Sequence, residues 1–195
     1  EQRRALAGLG AWAGWTREEQ LLDAAQLRLM GELRALLDEG VDVNATDSTG
    51  QTALHCAARE GHVRAVHMLI EAGADVHART ATLQTPLHFA MRYGESEAAL
   101  LVTVERLVEA GADVNAADRW GRTVLHRAVQ RALPDVVSFL LSLRELDVLA
   151  VDEDDKTAFD LCDDMISSGV FASKVSMLIK TIGEEELARL RTVRE

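Results

Sequence analysis

A four-residue box that begins with threonine recurs along the chain and constrains its fold more than any other feature. The box reads Thr-x-Leu-His at three places and Thr-Ala-Phe-Asp at a fourth, at residues 52–55, 85–88, 123–126 and 157–160. Successive threonines are 33, 38 and 34 residues apart. A period of this length indicates one supersecondary unit per copy, and such units bury their apolar faces only by stacking on one another.

A second motif recurs in phase with the first. Gly-x-Asp-Val-x-Ala occurs three times and then fades, at residues 40–45, 73–78, 111–116 and 147–150. Between the two motifs lie apolar residues at helical spacing, such as Val63, Val66 and Leu69. A threonine before such a segment is a helix N-cap, and a glycine after it permits the left-handed turn that ends a helix. The two motifs and the apolar spacing between them therefore predict a pair of short helices in each repeat.

The two motifs in phase resemble the ankyrin repeat family. The resemblance covers about residues 16–182 and implies an all-α repeat solenoid, in which a β-hairpin turn precedes two antiparallel helices in each unit. We predict an N-terminal extension (1–15), an ankyrin repeat domain (16–182) and a C-terminal helix (183–195). Five units are predicted, the first and last as degenerate caps, at residues 14–46, 47–79, 80–117, 118–151 and 152–182.

Several departures from the repeat pattern are informative. The first unit lacks the threonine-histidine box and opens with Thr16-Arg-Glu-Glu19, which is the pattern of a helix capping box. The third unit has five extra residues, placed most simply within 95–99, and carries Leu83 where a turn glycine is usual. In the fourth unit Pro134 occupies the start of the second helix, a position that tolerates proline.

Charge and composition exclude some functional classes. The net charge is -11, which disfavours binding to nucleic acid or to anionic membrane surfaces. No apolar run approaches the roughly 18 residues that would predict a membrane span, so we expect no membrane insertion. Two cysteines do not make a disulfide framework and fit a reducing compartment. We predict an intracellular location, cytoplasmic or else nuclear, and a monomeric module of a larger protein or complex.

No catalytic residue, metal site or cofactor is predicted, and we expect no enzymatic activity. The sequence has no phosphate-binding loop, no His-Glu-x-x-His and no Gly-x-Ser-x-Gly. The box histidines His55, His88 and His126 recur at the repeat spacing, about 10 Å apart in a stack, whereas zinc needs nitrogens about 2 Å from one ion. In the family this histidine bonds the turn backbone and the next repeat. Cys56 and Cys162 are predicted to be buried thiols.

Two further features leave alternatives open. The acidic segment 152–155 invites a calcium interpretation but fails the EF-hand pattern, since Thr157 stands at its sixth position and Asp163 at its twelfth. A solvated acidic hairpin is the preferred interpretation, with an electrostatic docking edge as the alternative. Asn44 and Asn115 occupy the position that an asparaginyl hydroxylase modifies in some ankyrin proteins, which the resemblance permits as a hypothesis.

The predicted binding site follows from the resemblance. In the family, partners dock on the hairpin tips and on the exposed side of the first helix of each unit, which form a concave face. The residues at those positions that we predict to bind a partner are Arg59, Arg79, Arg92, Tyr93, Arg119, Trp120, Arg122 and Arg131.

The chemistry of these residues suggests the class of partner. An aromatic residue beside arginines is the composition of an interface anchor, so we expect a protein or peptide partner that is acidic or phosphorylated. In the opposing interpretation, Trp120 folds onto the neighbouring hairpin and the arginines pair with nearby acids. An alternative function is nucleotide or oligonucleotide binding, with a base stacked on Trp120 and phosphates held by Arg119 and Arg122.

Overall fold

The computed structural model of the protein describes residue 12 and the segments 14–92 and 97–161. Within these residues the helices are α1 (Arg17–Leu27), α2 (Met30–Asp38), α3 (Ala53–Glu60), α4 (Val63–Glu71), α5 (Pro86–Ala90), α6 (Glu97–Glu109), α7 (Val124–Gln130) and α8 (Pro134–Leu141). Residues 158–161 are also helical. The described residues do not include most of the predicted extension at 1–15, Tyr93, or residues 94–96, which contain the start of the insertion predicted within 95–99. They also do not include Cys162 or the predicted C-terminal helix at 183–195.

The predicted all-α repeat fold is confirmed. Instead of strands, the described residues show two isolated bridge pairs, Thr46 with Thr52 and Val151 with Thr157, at the base of two hairpin turns. The helices belong to two compact units, residues 1–112 and residues 113–195, which are described separately.

Three helix pairs build the first unit. The first helix of each pair (α1, α3 and α5, here called the inner helices) packs on its neighbours, and the second (α2, α4 and α6, the outer helices) packs behind it. Alanines such as Ala24, Ala57 and Ala90 are fully buried on the inner helices, and their short side chains allow close approach. Buried leucines, among them Leu21, Leu54 and Leu87, fill the space between the pairs. In the second unit α7 is an inner helix and packs on the outer helix α8.

Each inner helix starts with side-chain caps that the sequence predicts. Thr16 and Glu19 form the expected capping box at α1. At α3 the hydroxyl of Thr52 accepts a bond from the amide of His55, and Nδ1 of His55 accepts the Thr52 amide at 3.1 Å. The threonine-histidine pairs that open α5 and α7 repeat this geometry.

The divergent fourth box, residues 157–160, caps its helix in a similar way. Oδ2 of Asp160 accepts the amide of Thr157 at 2.8 Å and the hydroxyl of Thr157 at 2.7 Å. A carboxylate oxygen thus replaces the imidazole Nδ1. Aspartate has no counterpart of the histidine Nε2. Asp160 therefore caps its own helix but provides no N–H for a hydrogen bond to another loop.

That second nitrogen joins consecutive repeats. Nε2 of His55 lies 3.1 Å from the carbonyl oxygen of Gln84, which is in the hairpin of the next repeat. In the second unit Nε2 of His126 lies 3.1 Å from the carbonyl oxygen of Lys156. Since Nδ1 accepts at both rings, Nε2 carries the proton and donates. The role that the resemblance implies, bonding to the turn and to the next repeat, is confirmed for His55 and His126.

A side-chain oxygen organises every hairpin turn, which the sequence analysis missed. Oδ1 of Asp47 accepts the amides of Thr49 at 2.8 Å and Gln51 at 2.9 Å, while the backbone of Asp47 and Gln51 closes the turn. The hydroxyl or carboxylate of the first residue does the same in the later turns, at Thr80, Asp118 and Asp152. Hydrogen bonds within each turn therefore hold its conformation.

The fourth residue of each hairpin has a left-handed backbone. It is glycine in two repeats, Gly50 with φ 80° and Gly121 with φ 73°, but Leu83 with φ 58° and Asp155 with φ 56° in the others. A left-handed conformation costs a residue with a Cβ about 1–2 kcal/mol, and a leucine has no polar side chain to offset this cost. Leu83 is therefore a strained position, and its side chain is 45% exposed.

We expect Leu83→Gly to be more stable than Leu83→Ala by about 1 kcal/mol, because both remove the same exposed side chain and only glycine relieves the backbone. Chemical denaturation followed by circular dichroism measures the difference. Arg34 is an exposed position inside α2, and the order should be reversed there, with alanine more stable than glycine by about 1 kcal/mol. Equal stability of the two Leu83 variants would contradict the assignment of strain.

Candidate functional site

The eight predicted binding residues are divided between the two units. Arg59, Arg79 and Arg92 belong to the first unit, where Arg79 and Arg92 are exposed and Arg59 is half-buried. The second unit contains an exposed Arg119 and the half-buried Trp120, Arg122 and Arg131. Tyr93 lies outside the described residues.

Arg59 lies in acidic surroundings. Its Nε is 2.9 Å from Oε1 of Glu60, and its Nη1 donates to the side chain of Gln51. It lines a cleft of about 280 Å³ on the inner helices. The indole of Trp15 and the carboxylates of Glu19, Asp23 and Asp47 line the same cleft. Three acids against one arginine make this cleft acidic, so Arg59 does not extend a positive surface.

Arg92 has an aromatic partner. Its guanidinium lies 5.7 Å from the ring centroid of Phe89, which in turn packs edge-on against the ring of His55. Phe89 is buried at the end of the inner helix α5. Arg92 therefore covers the core with its stem and presents its charge at the surface.

Arg119 and Trp120 form a cation-π pair at a hairpin tip. The guanidinium of Arg119 is 5.5 Å from the Trp120 ring. The backbone of Trp120 is fixed on both sides, because its amide donates to Oδ1 of Asp118 at 2.9 Å and its carbonyl oxygen accepts the amide of Glu153 at 3.0 Å. The pair is thus held in place by the hairpin and by the next hairpin of the same unit.

The arginines behind this tip are paired with buried acids. Nε of Arg122 is 3.5 Å from Oδ2 of Asp152, and Arg127 donates to Oδ2 of Asp118. Burial by itself raises the pKa of a carboxyl group, but the hydrogen bond from Arg127 and the turn amides outweigh it at Asp118, whose pKa is lowered. For Arg122 the structure agrees with the opposing interpretation, in which the arginines pair with nearby acids.

The prediction of a solvated acidic hairpin is wrong for its first residue. Asp152 is 4% exposed, whereas Glu153, Asp154 and Asp155 are exposed. Although burial raises the pKa of a carboxyl group, the amides of Lys156 and Asp154 and the charge of Arg122 hold the pKa of Asp152 below its ordinary value. Asp152 is a turn-organising residue.

Comparison with protein families gives matches over most of the repeat region. A model of ankyrin repeats in many copies matches residues 21–70, and a model of ankyrin repeats in three copies matches residues 79–152. The chain belongs to the ankyrin repeat family. No curated protein matches it significantly. Ankyrin repeats are generally protein-protein interaction modules, so protein partners are the family expectation.

The asparagines of this ankyrin chain tie consecutive loops together. Oδ1 of Asn44 accepts the amide of Asp75 at 2.7 Å, and its Nδ2 donates to the carbonyl oxygen of Gly73. In the second unit, Oδ1 of Asn115 accepts the amide of Asp147 at 2.7 Å. The side-chain amides are therefore structural, and hydroxylation of Asn44 or Asn115 stays a hypothesis.

Other kinds of chemistry find little support among the residues that the structure describes. No three histidine, cysteine or acidic side chains come together there in a way that holds a metal ion. Burial raises the pKa of the Cys56 thiol to about 11, which leaves it a poor nucleophile. No described helix is long and apolar enough to cross a membrane.

Proposed function

We propose that this ankyrin repeat protein is a non-enzymatic interaction module, and that the hairpin tip formed by Arg119 and Trp120 binds an acidic or phosphorylated segment of a partner protein. The observation that supports the proposal is the cation-π pair at 5.5 Å on a backbone fixed at both of its polar groups. A preorganised aromatic anchor loses little conformational entropy on binding. Ankyrin proteins are commonly intracellular, and we propose an intracellular partner.

The pairing of the arginines narrows the proposed site. Arg122 forms an ion pair with Asp152, so we assign it to the support of the hairpin rather than to direct contact with a partner. Arg119 is exposed and keeps its charge available while it lies on the indole. In this arrangement the partner's acid contacts Arg119, and a neighbouring apolar side chain packs on Trp120.

The alternative function, nucleotide or oligonucleotide binding, has less support. A base stacked on Trp120 needs cations free to hold phosphate groups, and Arg122 is already paired with a carboxylate. The net charge of -11 also opposes a long polyanion. A peptide partner needs only the local positive charge of Arg119.

Selection from a random peptide library tests the proposal, since the library itself supplies the candidate partners. We expect the peptides enriched on the wild-type protein to carry acidic residues beside an aromatic or aliphatic one. Arg119→Glu and Trp120→Ala should each weaken a selected peptide at least tenfold, which corresponds to about 1.4 kcal/mol. Fluorescence anisotropy measures this loss.

Arg144→Glu is the matched control, because Arg144 is an exposed arginine of the same unit, in the loop after α8. It makes the same change in total charge and should leave affinity within twofold. Equal losses at Arg119 and Arg144 would mean that only the overall charge matters. Selected peptides that bind the Trp120→Ala variant as tightly as the wild type would place the interface elsewhere.

A further inference from the structure

A second surface of the first unit carries a concentration of positive charge. A cleft of about 490 Å³ lies where inner helices turn into outer helices, between the α1–α2 and α3–α4 connections and the side of α6. We call it the basic cleft, after the arginine and histidine side chains that line it: Arg28, Arg64, Arg106, His62 and His67. None of the described residues that line it carries a carboxylate.

This composition is unusual for the chain. The protein has 32 acidic against 21 basic residues, so a random surface depression would contain carboxylates. Clustered arginines repel one another and lower stability unless an anion compensates them, and of the three arginines here Arg106 has Glu109 at ion-pair distance. The basic cleft is therefore a candidate for a site that is completed by a ligand.

The charges of Arg28 and Arg64 in the basic cleft are available, whereas Nδ1 of His67 lies 3.1 Å from Oε2 of Glu71. Among the described residues, no hydrogen bond or ion pair engages the guanidinium of Arg28 or of Arg64. Arg106 contacts Glu109 at 3.0 Å, but both side chains are about half exposed, and such exposed pairs exchange readily with solvent. His62 uses Nδ1 to bond the carbonyl oxygen of Ala25 at 3.0 Å, which fixes its ring at the rim of the cleft.

The rest of the lining is largely apolar. Met30, Val63 and Ala99 contribute aliphatic surface between the cations. The volume falls within the roughly 300–1,000 Å³ of small-molecule sites, and such sites combine an apolar lining with a few placed charges. A cleft of this kind accommodates an anionic group together with a small carbon skeleton.

We propose that the basic cleft binds a small phosphorylated molecule, with its phosphate held by Arg28 and Arg64 and its carbon skeleton against the apolar lining. Arginine suits this role because its planar guanidinium matches two phosphate oxygens at once. A phosphate monoester carries close to two negative charges at neutral pH, which matches a site with several cations better than a single carboxylate does.

The backbone at Arg28 allows binding to be separated from folding. Arg28 ends α1 with φ 59°, while the equivalent residue at the end of α3 is Gly61 with φ 67°. Glycine relaxes a left-handed position, so Arg28→Gly removes a guanidinium without weakening the fold. Few charge deletions offer this advantage, because most of them also remove a structural contact.

Isothermal titration with inorganic pyrophosphate and with fructose 1,6-bisphosphate, at constant ionic strength, tests the proposal. We expect saturable binding of both with dissociation constants of about 1 mM or tighter, and no binding of neutral fructose. Arg28→Gly and Arg64→Gln should each weaken binding at least tenfold, while Arg28→Gly melts no earlier than the wild type. Arg34→Gln is the control, because Arg34 is exposed on α2 and outside the cleft.

The other outcomes overturn the proposal. An absence of saturable binding, or an equal loss at Arg34, would show that the cleft has no specific affinity for phosphate. A phosphoserine peptide that binds at least a hundredfold tighter than both small probes would assign the cleft to a macromolecular partner. None of these variants touches Arg119 or Trp120, so the result is independent of the function proposed for the hairpin tip.

Discussion

Replacing His55 with leucine should lower the free energy of unfolding of the first unit by about 2–4 kcal/mol. His55 is fully buried and joins three polar groups: the amide and hydroxyl of Thr52, and the carbonyl oxygen of Gln84 in the next repeat. Leucine fills a similar volume but leaves the Thr52 amide without its partner, and it removes one of two hydrogen bonds to the Gln84 carbonyl oxygen, which also accepts the Thr80 amide at 3.0 Å. Each stranded buried group costs about 1–3 kcal/mol.

Two further variants divide this cost. His55→Asn keeps an oxygen that can accept the Thr52 amide, as Asp160 does for Thr157, but it is too short to reach Gln84. It should recover about 1 kcal/mol relative to leucine, which is the usual worth of an N-cap. His77→Leu is the control at an exposed histidine of the same unit and should change stability by less than about 0.5 kcal/mol. Urea denaturation measures all three, and a His55→Leu variant as stable as His77→Leu would contradict the inter-repeat role.

Acidification from pH 7 to pH 5 should destabilise the first unit by about 2 kcal/mol through His55 alone. Burial lowers the pKa of His55 from 6.5 to about 4, so the unfolded chain binds a proton in this range and the folded chain does not. The stability is therefore complete above pH 6.5 and is lost progressively as the pH falls toward 4. Burial lowers the pKa of His126 as well, which adds an effect of the same sign in the second unit.

Urea midpoints measured at several pH values test this dependence, with His55→Asn as the control. In that variant the slope between pH 7 and 5 should shrink, because no imidazole titrates at residue 55. The turn carboxylates do not obscure the result: the pKa of Asp47 is held below 3.8 by its turn hydrogen bonds against the effect of burial, so its contribution falls below the window. Identical slopes in the wild type and in His55→Asn would refute the assignment.

The repeat fold was predictable because its signals are local. Thr52 and His55 are three residues apart, and their cap depends only on helix geometry. The same holds for Thr16 and Glu19, whose capping box appears as the spacing predicts. Even Leu83 stands out as a departure, since a missing turn glycine is visible without coordinates.

The candidate site was less predictable because it depends on which repeats come into register. Arg122 and Asp152 are 30 residues apart, and their pairing follows from the stacking of two hairpins in one unit. The carboxylates around Arg59 come from two different repeats. In the basic cleft, Arg28 comes from the end of the first helix of the first repeat and Arg106 from the second helix of the third repeat, and helical spacing alone does not show that these residues come together.

Cys56 is a chemical probe of local opening in the first unit. Its thiol lies on α3 with 5% of its surface exposed at the 280 Å³ cleft, and its pKa is raised to about 11, so we expect a thiol reagent to modify it slowly in the folded protein and faster when the surrounding helices separate. The rate of modification at neutral pH, divided by the rate for an unfolded peptide, gives an upper limit on the equilibrium constant for that opening in the absence of denaturant. Once Cys162 is replaced by serine, a single residue reports how often the first repeats part from one another, and whether a bound partner or phosphate holds them closed.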